Sequence, residues 1–126
     1  IVQLIQECEE GTSKNKILDL CIALSYGGRY EITEAARQLA IKVKEGSIES
    51  TDINEENFSK HLYTWGVPDP DLIIRTSGEK RVSNFLLWQL AYSELVFSDT
   101  LWPDFSESDF KKALSEFYLR DRRFGS

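Results

Sequence analysis

The residues with most chemistry to offer lie in one stretch: Arg75-Thr76-Ser77-Gly78-Glu79-Lys80-Arg81-Val82-Ser83-Asn84. Three cations stand close together here, in a chain whose net charge is −6. An arginine presents a rigid fork of N–H donors that matches phosphate oxygens. Ser83 adds a hydroxyl, and Gly78 lets the backbone approach a ligand closely. Ser83-Asn84 also reads as the cap of a helix beginning at Phe85, whose free N–H groups and positive dipole end would complete an anion cradle. The stretch therefore predicts a phosphate or diphosphate site. Spacing alone equally allows an ordinary turn whose arginines pair with surface carboxylates. The pattern is neither a Walker A loop nor a dinucleotide fingerprint. Two acids could work with a cradle, Glu79 inside it and Glu94 beyond the Phe85 segment. A carboxylate beside a diphosphate points to a shared Mg²⁺, which takes one or two carboxylates together with phosphate oxygens and water. The alternative for each acid is a solvated surface position.

The elements that must position these groups follow from apolar periodicity. Val2, Leu4, Ile5 and Cys8 mark the end of a helix stopped at Gly11-Thr12, with Cys8 as a small core residue. Ile17 to Leu24 is apolar except at Asp19 and predicts a buried parallel strand with Cys21 packed inside it. Tyr26-Gly27-Gly28-Arg29 ends that strand. Ile32, Ala35, Ala36, Leu39, Ala40 and Val43 recur at helical spacing, with Gly46 as the stop. Asn54 is a good N-cap for a second helix, Ile53 and Phe58 have the spacing of a hydrophobic staple, and Glu55-Glu56 favour the helix start. His61 reads as a helix-surface residue. Leu72-Ile73-Ile74 predicts a second buried strand, ended by Thr76-Ser77-Gly78. The run Phe85 to Ala91 predicts a helix packed in the core, and Leu95-Val96-Phe97 a third strand. Ser106, with Asp109 three residues on, opens a last helix whose buried stripe is Phe110, Ala113, Leu114 and Phe117. This order is α/β: part of a mostly parallel sheet flanked by helices, with too few strands for a complete sheet. Ligands of open α/β sheets bind at the carboxyl ends of strands, where both glycine turns lie.

Composition sets the limits. The 126 residues amount to about one domain. A hydrophobic fraction of 41% with 12% aromatics excludes a disordered chain. Mean hydropathy is −0.35, and no apolar run approaches the roughly 20 residues of a membrane span. The acidic balance argues against nucleic acid as a partner. Two cysteines, Cys8 and Cys21, make no disulfide framework and predict a reduced, cytosolic protein. A single histidine excludes a His-rich metal site. Methionine is absent and the chain opens Ile1-Val2-Gln3, which predicts a removed leader or a piece of a longer chain. The opening residues lack the basic start and long apolar stretch of a secretory signal.

The stretch from Asp71 to Glu94 closely resembles the C-terminal signature of the cis-prenyltransferases. Leu24-Ser25-Tyr26-Gly27-Gly28-Arg29-Tyr30-Glu31-Ile32 resembles the family's preceding region, and Leu101-Trp102-Pro103-Asp104-Phe105 and Arg122-Arg123-Phe124-Gly125 resemble its C-terminal end. The resemblance covers essentially the whole chain, residues 1–126, as the C-terminal portion of one such domain. It implies an enzyme that condenses isopentenyl diphosphate onto an allylic (farnesyl) diphosphate, with Mg²⁺, to make undecaprenyl diphosphate, a bacterial cell-wall lipid carrier. It implies that Arg75, Arg81, Val82 and Ser83 bind isopentenyl diphosphate and that Glu94 binds Mg²⁺. Glu79, Arg123 and Gly125 take supporting roles, the last two in a tail associated with the diphosphate site across a dimer interface. A homodimer in the cytoplasm or at the inner membrane face, with a product that enters the membrane, is implied as well. The family's first half, with its Asp-Gly-Asn motif and catalytic aspartate, has no counterpart here, so no catalytic residue is expected in this chain and the chain alone is expected to be inactive. Two alternatives stand beside this reading. One is a non-catalytic subunit or dimerisation module of a heteromeric cis-prenyltransferase, against which the intact Arg75 to Ser83 cradle argues. The other is a phosphate-binding module of another α/β family.

Overall fold

Strands need partners, and among the described residues two strands find each other. The computed structural model describes residues 2–120. β1 (Leu72–Arg75) and β2 (Glu94–Phe97) pair in parallel, with Leu72 opposite Glu94 and Arg75 opposite Phe97. Parallel neighbours require a long crossover, usually a helix. Here residues 76–93 cross over through loops and turns.

Four α-helices accompany the strands among the described residues. α1 (Val2–Thr12) carries no buried side chain. α2 (Gly28–Lys44) buries Ala35 and Leu39 on one face, and Gly46 follows it at φ 71, the left-handed stop that glycine serves best. α3 (Glu55–Ser59) starts as predicted at Asn54, whose side chain accepts from the Asn57 N–H. α4 (Glu107–Tyr118) opens with a full capping box: Asp109 N–H donates to the Ser106 hydroxyl, and Ser106 N–H donates to the Asp109 carboxylate. Among the described residues the buried apolar set is small: Ala35 and Leu39 on α2, Leu62, Val96 on β2 and Ala113 on α4.

Five expectations fail. Ile17 to Leu24 forms no strand, and Ile17 is 100% exposed. A buried strand needs ladder partners on its flanks, and no described segment offers one. Cys8 and Cys21 are exposed rather than packed, because α1 and the 17–24 segment bury nothing. The run from Phe85 is not a helix. Ser83, Asn84 and Leu86 stand at φ 47, 66 and 46, left-handed values that a right-handed helix excludes. The backbone turns instead, with Phe85 N–H on Val82 O and Leu90 N–H on Leu86 O. Lastly, of the expected α4 stripe only Ala113 is buried, and Phe110 stays 46% exposed. β1 and β2 are also only partly covered, since one pair of strands shields little of its own surface.

Candidate functional site

Arg75 ends β1 and organises the loop beyond it. Its carbonyl accepts from Ser98 N–H at 2.8 Å, just past β2. Ser77 N–H donates to Thr100 O and Gly78 N–H to Ser98 O, so the loop after β1 is tied to the loop after β2. Both Ser77 and Gly78 stand at φ 69. For serine that backbone is strained, and such strain gathers where a site requires a particular path. The Arg75 guanidinium turns back and donates from Nη1 to the carbonyl of Arg81 at 2.5 Å. The Arg81 side chain is 64% exposed and pairs with Glu79. Glu79 thus restrains the Arg81 guanidinium by an ion pair.

Beside these cations lies a cavity of about 220 Å³. Arg75, Arg81 and Thr76 supply its polar lining, and Val82, Phe85 and Phe97 belong to its apolar wall. The structure thus brings Arg75, Arg81 and Val82 together, at the carboxyl end of β1 where open sheets bind ligands. Ser83 is exposed and does not line this cavity. The dipole of a following helix, expected to complete the cradle, is not there to contribute.

Glu94 lies elsewhere. It faces Leu72 at the start of both strands, whereas Arg75 faces Phe97 at their end. Three residues along a strand separate these levels by about 10 Å. Glu94 accepts from Arg120 Nη1 at 2.8 Å, and the same nitrogen donates to Leu95 O at 2.9 Å. Arg120 also pairs with Glu116. Hydrogen bonds to Glu94 and then Glu116 raise the Arg120 pKa further and lock it as a cation. No group of three or more His, Cys, Asp or Glu side chains able to hold a metal occurs among the described residues. Arg123 and Gly125 lie outside the described residues.

Two features have no signal in the sequence pattern. Glu31, 1% exposed, is a buried carboxylate without a cation. It accepts from the Tyr26 hydroxyl, from Tyr63 N–H at 2.7 Å and from Gln89 Nε2 at 3.3 Å. Burial, and then the bond to Glu31, push the Tyr26 phenol well above its ordinary pKa. The second is Asn84, whose carbonyl and side chain both reach α2. The Ser83-Asn84 pair predicts a helix cap, and Asn84 does cap a helix, but a distant one. His61, half-buried, places Nδ1 on Asn57 O and Nε2 on Lys42 Nζ.

Residues 1–125 match the family model described as "Putative undecaprenyl diphosphate synthase". The chain belongs to this prenyltransferase family. It is 55% identical over 122 residues to an isoprenyl transferase of Prochlorococcus marinus, covering 97% of this chain and 45% of the relative. It is 52% identical over 121 residues to the (2E,6E)-farnesyl-diphosphate specific ditrans,polycis-undecaprenyl-diphosphate synthase of Haemophilus influenzae, covering 96% and 51%. Among solved structures it resembles lavandulyl diphosphate synthase from Lavandula x intermedia in complex with dimethylallyl diphosphate. The TM-score is 0.94 at 43% identity, covering 99% of this chain and 54% of that one. The chain thus spans about half the length of the curated relatives it matches. The two-stranded parallel sheet with flanking helices is an incomplete α/β sheet of that family's fold. No described helix is long and apolar enough to cross a membrane.

Proposed function

We propose that this chain carries the isopentenyl diphosphate half of a cis-prenyltransferase site. The observation that carries the reading is the cavity in which Arg75 and Arg81 stand beside an apolar wall that includes Val82 and Phe85. A diphosphate with a short branched alkene pairs a polyanionic head, suited to the two cations, with a small apolar tail, suited to the wall. Arginine forks hold the head, and the wall excludes water from the alkene. The family names of the relatives support the choice of a prenyl diphosphate over other phosphates.

In the reaction proposed, the C–O bond of an allylic diphosphate, farnesyl diphosphate, breaks and diphosphate leaves. The alkene of isopentenyl diphosphate forms the new C–C bond to the allylic carbon. A proton then departs to set a cis double bond, and repeated rounds give undecaprenyl diphosphate. Arg75 and Arg81 contribute by holding the alkene in place, a proximity effect, and none of the described residues is assigned the proton. Ser83 is proposed to bind from the exposed side of the loop. Mg²⁺ belongs to the proposal as a charge stabiliser for the diphosphate, with Glu94 as the single described residue assigned to it and its other ligands outside the described set. The working unit is proposed to be a homodimer in the cytoplasm or at the inner membrane face, with Arg123 and Gly125 serving the diphosphate site and a product that enters the membrane.

Calorimetry with isopentenyl diphosphate, with and without Mg²⁺, tests the cradle. Charge-assisted bonds of this kind are worth enough that Arg81→Ala should weaken binding by about tenfold or more. Equal affinity in the variant would overturn the assignment. Glu94→Gln should change the Mg²⁺ dependence and leave affinity measured without Mg²⁺ as it was. Turnover of farnesyl diphosphate with radiolabelled isopentenyl diphosphate is expected to be absent for this chain alone. Measurable product would show that the described residues and the tail suffice for chemistry.

A further inference from the structure

α2 starts without a cap of its own. Gly27 precedes it in extended conformation and has no side chain to offer. Its first N–H groups still find acceptors. Gly28 N–H donates to Asn84 O at 2.7 Å, and Arg29 N–H donates to Asn84 Oδ1 at 2.8 Å. Both acceptors belong to one residue, 55 positions away in the chain. Two orphan donors of a helix end are thereby satisfied by a residue of the cradle segment.

The contact is shaped from both sides. Asn84 stands at φ 66, a conformation asparagine tolerates better than most residues. On the helix side the approach is tight and a side chain would press on its neighbours. A Cβ on Gly28 would lie 3.0 Å from both Leu87 N and Leu87 Cγ and 3.2 Å from Asn84 O. One on Gly27 would lie 2.9 Å from Asn84 Nδ2. A second tie reinforces the first: Gln89 donates to the buried Glu31 in the opening turns of α2, and the rings of Tyr26 and Phe85 meet edge to face at 5.7 Å.

The segment from Arg81 to Asn84 is thus pinned at both ends. Arg75 holds the Arg81 carbonyl at one end, and α2 holds Asn84 at the other. We propose that Asn84 is a positioning residue for isopentenyl diphosphate, setting Arg81 and Val82 against the cavity by capping α2. This inference rests on the isopentenyl diphosphate reading above. It adds a residue that touches no substrate and acts through the backbone of the loop that does.

Asn84→Gly keeps the left-handed backbone and the carbonyl bond but removes the side-chain cap. Asn84→Asp keeps an acceptor there. Gly28→Ala pushes α2 off Asn84 without altering the cradle's own sequence. In Asn84→Gly and Gly28→Ala, amide exchange at Arg29 should accelerate, the amide shifts of Arg81 and Val82 should move, and isopentenyl diphosphate should bind about fivefold more weakly. Asn84→Asp should restore the exchange protection and the shifts. Fast exchange at Arg29 with unmoved shifts and unchanged affinity would overturn the proposal. If the unaltered chain does not bind isopentenyl diphosphate, the substrate reading fails instead. The positioning role is then decided by the Arg81 and Val82 shifts, which need no ligand: moved shifts support it and unmoved shifts overturn it.

Discussion

Arg75 combines two tasks that one ammonium cannot. One N–H of its fork holds the Arg81 carbonyl, and Arg75 also lines the cavity. A lysine is a point charge without a planar fork. Arg75→Lys should therefore lose most of what Arg75→Ala loses, about tenfold or more in isopentenyl diphosphate affinity by calorimetry. Retained affinity in the lysine variant would show that charge alone matters. Tyr26 gives a second prediction. Its phenol is half-buried against Glu31 and its pKa is raised, so the protonated form belongs to the folded state. Below about pH 10 the folded and unfolded phenols both keep their proton and the contribution is complete. Above that, the unfolded phenol ionises first, so stability falls as pH rises. Tyr26→Phe should lower stability near neutrality by about 2 kcal/mol, through the lost bond to a carboxylate. It should also flatten the alkaline decline, and urea titrations from pH 8 to 11 check both. Arg75, Arg81 and Val82 were legible because a strand end and its next few residues are local in sequence. Glu31 and Asn84 were not, because their partners Gln89 and Arg29 lie 58 and 55 residues away.

The helices that sequence located are those whose signals are complete within a few residues. α4 is the clearest case, with Ser106 and Asp109 in a capping box that the spacing already suggested. Removing its hydroxyl in Ser106→Ala should cost about 1 kcal/mol. The hydrogen bonds from the Ser106 hydroxyl and backbone N–H hold the Asp109 pKa below the ordinary carboxylate value. Its contribution is present above that ordinary value and is lost as pH falls through the lowered one. Helicity followed by circular dichroism should thus decline on acidification, and the decline should shrink in Ser106→Ala. An unchanged acid limb would show that the box does not govern the helix end. The Phe85 segment shows why periodicity alone misleads. Its apolar residues recur as in a helix, but the segment must bring Asn84 to α2 and Gln89 to Glu31, and the left-handed residues that do so forbid a helix. The Ile17 to Leu24 strand fails for a different reason. Its apolar run is that of a strand, but strand structure resides in the pair, and the described residues hold no partner for it.

The whole molecule exposes more surface than a folded chain of its mass should. Its accessible area is 10254 Å² for 14.5 kDa. A compact monomer of that mass exposes about 6,900 Å². The excess is about twice the total area buried in a standard protein interface. Much of it is apolar: Ile17, Leu18, Leu20, Ile22 and Leu24 are each at least 66% exposed, and α1 shows Val2 and Leu4 to solvent. Monomers rarely leave apolar patches of more than a few hundred Å² uncovered, and an unpaired strand-forming segment invites another chain to add to it. In this chain by itself, a second copy is the surface at hand. Light scattering at about 10 µM should therefore give a mass above 14.5 kDa, rising with concentration. Replacing Leu20 and Ile22 by lysine charges the run without touching Arg75, Arg81 or the Asn84 cap, and should return the mass towards that of one chain. A sharp monomer peak for the unaltered chain across that range would overturn the expectation. It would mean that Ile17 to Leu24 finds cover within its own chain.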